Sequence, residues 1–120
     1  MIKRMVNTDS GFYGYMGKIF GSREIQRETA DRFYDDDGKE WVLDIGKGKV
    51  LSVVSVKDSV LKNVYTEDAF SLVRVLGEVY GEVSAGTVPA VYREMYAAAG
   101  YTVTGEKKNF LVVRGGKGDG

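Results

Sequence analysis

Met95-Tyr96-Ala97-Ala98-Ala99-Gly100-Tyr101 reads as the end of a helix, closed by glycine and followed at once by an aromatic that opens a strand. The run lies near the end of a longer stretch, 60–114, that reads strand, helix, short strand, Pro-initiated helix and final strands. Thr66 is a good N-cap for a helix over 67–80. Ala69, Phe70, Leu72, Val73, Val75, Leu76, Val79 and Tyr80 leave only a narrow polar stripe of Ser71, Arg74 and Glu78, so that helix is expected to be largely buried. Gly81 ends it, and a short strand is expected over 82–85. The last helix starts around 87–89, where Pro89 loses nothing by lacking an N–H, and runs to Ala99. Strands over 101–104 and 110–114 follow, and the Gly-rich residues 115–120 read as a flexible tail.

Working back from this stretch, three β segments form a meander. Trp41-Val42-Leu43-Asp44-Ile45 is the first, and Gly46-Lys47-Gly48-Lys49 turns the chain. The second covers 50–56, with an apolar run that implies cover on both faces, and the third covers 60–65. Ahead of them, 22–33 reads as a helix capped by Ser22, with Ile25, Thr29 and Phe33 on one face and Glu28 placed to pair with Arg32. Residues 11–21 mix four glycines with four aromatics, a frayed helix or an ordered loop whose rings pack on the core. Residues 2–6 read as a first strand. Asp35-Asp36-Asp37-Gly38 is a solvated turn, because an EF-hand register ending on Gly38 would need Asp where Phe33 stands and Glu where Asp44 stands.

Composition narrows the chemistry. The chain has 120 residues, one domain's length, with 43 % hydrophobic residues and equal numbers of basic and acidic side chains, 17 each. No global field draws it to nucleic acid or an acidic membrane. With neither cysteine nor histidine, disulfides, Cys/His zinc sites and Ser-His-Asp or Cys-His nucleophiles are excluded. Proton transfer falls to Asp, Glu, Tyr, Lys, backbone or water. No apolar run is long enough to span a bilayer as a helix, and the N-terminal residues do not read as a signal peptide, so a cytoplasmic protein is expected.

The element order β, α, α, β-β-β, α, β, α, β, with the Tyr-x-x-x-Gly-aromatic run of 96–101, resembles the GCN5-related N-acetyltransferase (GNAT) family. The resemblance is architectural over 1–65 and motif-like only at 95–101. It implies an α/β (α+β) fold, a mixed, mostly antiparallel sheet flanked by helices, as a single domain over 1–114. It also implies an acyl-CoA-dependent N-acyltransferase, with acetyl-CoA as donor and an amine on a small molecule or protein as acceptor. The family's general-acid tyrosine falls at Tyr96, with Tyr92 one turn earlier on the same face; equally, Tyr96 reads as a core aromatic. Donor-binding positions fall at Val64, Tyr65, Thr66, Glu67, Asp68, Ala69 and Phe70, and region 11–21 falls near the acceptor. Glu40 and Asp44 are further candidate bases; no residue is assigned to a metal.

One segment departs from the family. Between Tyr65 and Phe70 stands Thr66-Glu67-Asp68-Ala69, with no glycine and no arginine where the family places a glycine-rich diphosphate loop. Two carboxylates there complement a helix dipole but repel a diphosphate. This feature motivates an alternative: a non-catalytic interaction protein on a GNAT-like scaffold, of a compactness that suits a phage or mobile element. The eight tyrosines would offer stacking faces to bases, but no basic groove accompanies them.

Overall fold

Alternation of the meander's side chains, broken by a bulge at Asn63, builds two cores, one on each face of a single sheet. In the computed structural model, which describes residues 1–118, β1 (Ile2–Met5), β2 (Glu40–Gly46), β3 (Lys49–Lys57) and β4 (Val60–Thr66) pair antiparallel in sequence order. Val42, Val54, Leu61 and Val64 point to one core, whereas Trp41, Leu43, Ile45 and Val53 point to the other. That is the period of two a strand imposes. Cover on both faces explains why β3 reads as an almost unbroken apolar run.

Helices α1 (Phe12–Phe20) and α2 (Arg23–Thr29) cover the second core. The glycine-rich segment is a helix because Phe12, Met16 and Ile19 fall on one face and are buried. Phe20 meets Trp41 edge-on with ring centroids 5.4 Å apart. The α2 helix is shorter than its pattern. The Thr29 hydroxyl donates to the Ile25 carbonyl and accepts from the Asp31 amide, and Ala30 turns left-handed at φ 58°. Phe33 reaches the core from the loop beyond.

The first core is capped by α3 (Ala69–Val79) and α4 (Arg93–Ala98). Helix α3 is less buried than its composition implied. Ser71, Leu72, Val75, Leu76 and Val79 face the sheet, but Phe70 is 81 % exposed and Val73 is half-buried. A helix lying on one sheet face covers only one stripe of its surface. Gly100, at φ 95°, ends α4: its amide bonds the Ala97 carbonyl and the Tyr101 amide bonds that of Tyr96.

The fifth strand differs most from its expected position. Residues 80–82 form a 3-10 turn, and β5 runs over Ala85–Pro89, pairing along its length with β7 (Phe110–Arg114). Pro89 therefore closes a strand rather than starting a helix, an acceptable place for a residue with no N–H. A second 3-10 turn, Ala90–Tyr92, leads into α4. With β6 (Thr102–Glu106) on the outer edge, the sheet order is β1-β2-β3-β4-β5-β7-β6. This is the mixed, mostly antiparallel architecture the element order implied. The tail differs at its start: the amides of Gly115, Gly116 and Lys117 bond the carbonyls of Ser84, Tyr80 and Val83. The rest of it, 119–120, lies outside the described residues. Among the described residues no helix is long and apolar enough to cross a membrane.

A cleft between two parallel strands

Strands β4 and β5 are parallel neighbours, but only Val60↔Ala85 and Leu61↔Gly86 pair. Two local features shape the wedge between them, one holding the strands together at its apex and one parting them beyond it. At the apex, a side chain on Gly86 would lie 2.8 Å from the Leu61 carbonyl oxygen, so only glycine allows this approach. Just beyond, β4 bulges at Asn63, which is left-handed at φ 53°, and the register against β3 shifts between Val53 and Ser55. Past the bulge, the β4 edge no longer pairs with β5, and a wedge opens between Val64–Thr66 and the end of β5.

Tyr92 fills that wedge. Its ring packs in the core under α3 and α4, it is 4 % exposed, and its hydroxyl passes through to the α2 side of the sheet. There it accepts from the Thr66 amide at 3.3 Å and donates to the Glu28 carboxylate. Burial, then the bond to Glu28, pushes the Tyr92 hydroxyl far above its ordinary pKa, so it keeps its proton. A cavity of about 400 Å³ opens on the α2 side of this bridge, lined by Tyr15, Ile19, Glu24, Ile25, Glu28, Tyr65 and Glu67 among others. Partial burial, with Glu67, Glu28 and Glu24 nearby, also raises the Tyr65 hydroxyl.

The start of α3 is partly capped from within. Asp68 accepts from the Ser71 amide at 3.1 Å, and the Thr66 hydroxyl accepts from the Asp68 amide at 2.9 Å. The Glu67 amide donates to the Leu51 carbonyl at 3.0 Å, and its carboxylate pairs with Lys49 at 2.6 Å. Ala69 and Phe70 lie on the first turn, with the Phe70 ring exposed. Val64 points into the core, fully buried.

Asp44 is a structural carboxylate. It is 1 % exposed, takes the Met1 ammonium at 2.9 Å on one oxygen, and takes Ser71 and Arg74, both at 2.7 Å, on the other. Ser52 links Ser71 to Thr66 through bonds of 2.8 and 2.6 Å. Burial alone would push the Asp44 carboxyl up; the bonds from Ser71, the ammonium and Arg74 outweigh it and bring it to about 2. Glu40 pairs with Arg4 at 3.0 Å, away from the wedge. Tyr96 is fully buried, and its hydroxyl donates to the Pro89 carbonyl at 2.8 Å. Glu28 is the site residue that the pattern missed. It read as half of an i, i+4 ion pair with Arg32; the usable signal was a second carboxylate, Glu24, one turn earlier on the same face.

This splayed parallel pair within a mostly antiparallel sheet is the fold of the GCN5-related N-acetyltransferases. The N-acetyltransferase PseH of Campylobacter jejuni, solved in complex with acetyl coenzyme A, superposes with a TM-score of 0.53 at 16 % identity, over 94 % of this chain and 96 % of that one. A second structure of PseH gives 0.52 at 14 %, over 94 % of both chains. A protein of Exiguobacterium sp. 255-15 assigned as an acetyltransferase gives 0.52 at 12 %, over 96 % and 93 %. No protein-family model matches the chain, and no curated protein matches it in sequence.

Proposed function

We propose that this chain is an acyl-CoA-dependent N-acyltransferase acting on an amine acceptor, with acetyl-CoA as its donor. The observation that carries the reading is the line Glu28–Tyr92–Thr66 amide, laid across the opening between β4 and β5. It brings a carboxylate, a protonated hydroxyl and a main-chain donor together where β4 and β5 part. The fold neighbour solved with acetyl coenzyme A supports the choice of donor.

The donor fits this chain only in part. The β4 edge over Val64–Thr66 suits an extended thiol arm once Tyr92 rotates away from the Thr66 amide. The start of α3 does not suit a diphosphate. The Glu67 and Asp68 amides ahead of it and the Ser71 amide in its first turn are bonded within the protein, and Glu67 and Asp68 stand where cations or glycines would serve. No step is therefore routed through the donor. What the side chains do is hold protons: Glu28 is the acceptor for an ammonium entering the cavity, and Tyr92 is the proton donor. Tyr96, bonded to Pro89, supports the strand end behind them.

Glu28→Gln and Tyr92→Phe test this reading in an assay of thiol release from acetyl-CoA with an amine panel. Glu28→Gln should lower turnover roughly 10²–10⁴-fold while the fold is kept. Unchanged turnover would remove Glu28 from the chemistry. A second reading, a non-catalytic interaction protein on this scaffold, is favoured by the self-capped start of α3; it predicts no thiol release with any amine.

A further inference from the structure

A second cavity, of about 610 Å³, lies on the same face of the sheet as α2, beside the apex of the wedge. Its floor is the β4 bulge. Asn63, 3 % exposed, uses its amide oxygen to accept from Lys39 at 3.0 Å and from Ser55 at 2.7 Å, and its amide nitrogen to donate to Asp31 at 3.1 Å. Lys39 is only 5 % exposed. Its ammonium also donates to the Tyr34 carbonyl at 3.2 Å and lies 4.6 and 5.2 Å from the ring centres of Tyr34 and Trp41. Among the described residues no carboxylate forms an ion pair with it.

A buried ammonium normally finds a counter-ion. This one has three N–H donors, and two protein acceptors take two of them. Asp31 stands on the other side of the same Asn63 amide, held from direct pairing with Lys39. Burial dominates the titration of both, lowering Lys39 and raising Asp31, although Asp36, Asp31 and Asp35 favour the Lys39 charge without pairing with it, and Lys39 and Lys62 favour the Asp31 charge. A ligand carrying both charges a carbon or two apart would complete both groups at once. Tyr34, Val60 and Phe110 line the same cavity and offer apolar surface to the remainder of such a ligand.

We propose that this cavity binds an aminocarboxylate with an apolar side chain, its carboxylate on Lys39 and its ammonium on Asp31. Its occupancy does not depend on the acyltransfer reading above, in which the reacting amine meets Glu28 in the first cavity.

Calorimetry on the wild-type chain, with no acyl donor present, tests it. L-phenylalanine should bind saturably. Phenethylamine, which lacks the carboxylate, and 3-phenylpropanoate, which lacks the ammonium, should each bind at least tenfold more weakly. Lys39→Met should abolish the advantage of phenylalanine over phenethylamine, and Asp31→Asn its advantage over phenylpropanoate. No binding of phenylalanine, or equal binding of all three, overturns the proposal and leaves Lys39 as a pin for the loop over 30–39. Because the wild-type series needs no variant, a misfolded Lys39→Met does not rescue the idea.

Discussion

Asp44→Asn should cost the protein roughly 2–3 kcal/mol at pH 7, and the loss should shrink in acid. The carboxyl sits at about 2 in the folded chain against an ordinary 3.8. A difference of that size corresponds to roughly 2–3 kcal/mol of preferential stabilisation of the charged form. Because the folded value is the lower one, this contribution is complete above pH 4 and disappears as pH falls from about 4 through 2. Asn keeps the shape and removes the charge, so it mimics the protonated state across the range. Urea unfolding at pH 7, 4, 3 and 2.5 for both proteins gives the difference directly. Asp36 and Glu82, also held low by Lys57 and Arg4, and Asp31, held high by burial, are common to both and cancel. A stability difference that stays constant from pH 7 to 2.5 would show that the Asp44 cluster with Ser71, Arg74 and the Met1 ammonium does not act through charge.

Other substitutions probe the packing and the wedge. Leu76→Ala, at a fully buried position of α3, should cost roughly 2–5 kcal/mol in urea unfolding, and the half-buried Val73→Ala clearly less than Leu76→Ala. Gly86→Ala should cost about 1–3 kcal/mol, because its new methyl meets the Leu61 carbonyl at the apex; a neutral result would mean the two strands are not held this close. Tyr96→Phe leaves the Pro89 carbonyl without its donor and should lower stability by about 1–3 kcal/mol, with turnover of the folded fraction unchanged. A 10²-fold fall in turnover at intact stability would instead return the proton-donor role to Tyr96.

Most of the architecture was readable because it rests on local rules. The meander follows from alternation and two turns, α3 from its apolar stripe, and the close of α4 from Gly100 in a left-handed conformation. The expected Thr66 cap was misplaced: Thr66 stays in β4, and Asp68 caps a helix that starts at Ala69. The fifth strand was misplaced because its partner, β7, lies more than twenty residues away, and no local signal outweighed the helix-starting habit of Pro89. Helix α2 was overlong because Ile25, Thr29 and Phe33 keep helical spacing although Thr29 ends the helix with its own hydroxyl. The site was less legible still. Glu28 and Tyr92 are 64 residues apart, and their meeting depends on the wedge, which Gly86 and the Asn63 bulge create together. The acidic start of α3 was visible in sequence, but its role as a self-satisfied cap needed coordinates.

Titration calorimetry of the wild-type chain with acetyl-CoA, followed by thiol release on adding an amine, tests the acyltransfer reading most directly. The account predicts saturable one-site binding, and a thermal stabilisation worth about 2.7 kcal/mol when the ligand stands at a hundred times its dissociation constant. Amine-dependent thiol release should then fall with Glu28→Gln. The absence of any binding of acetyl-CoA at millimolar concentration, in a protein shown to be folded, would contradict it and leave a GNAT scaffold whose cleft Tyr92 keeps shut.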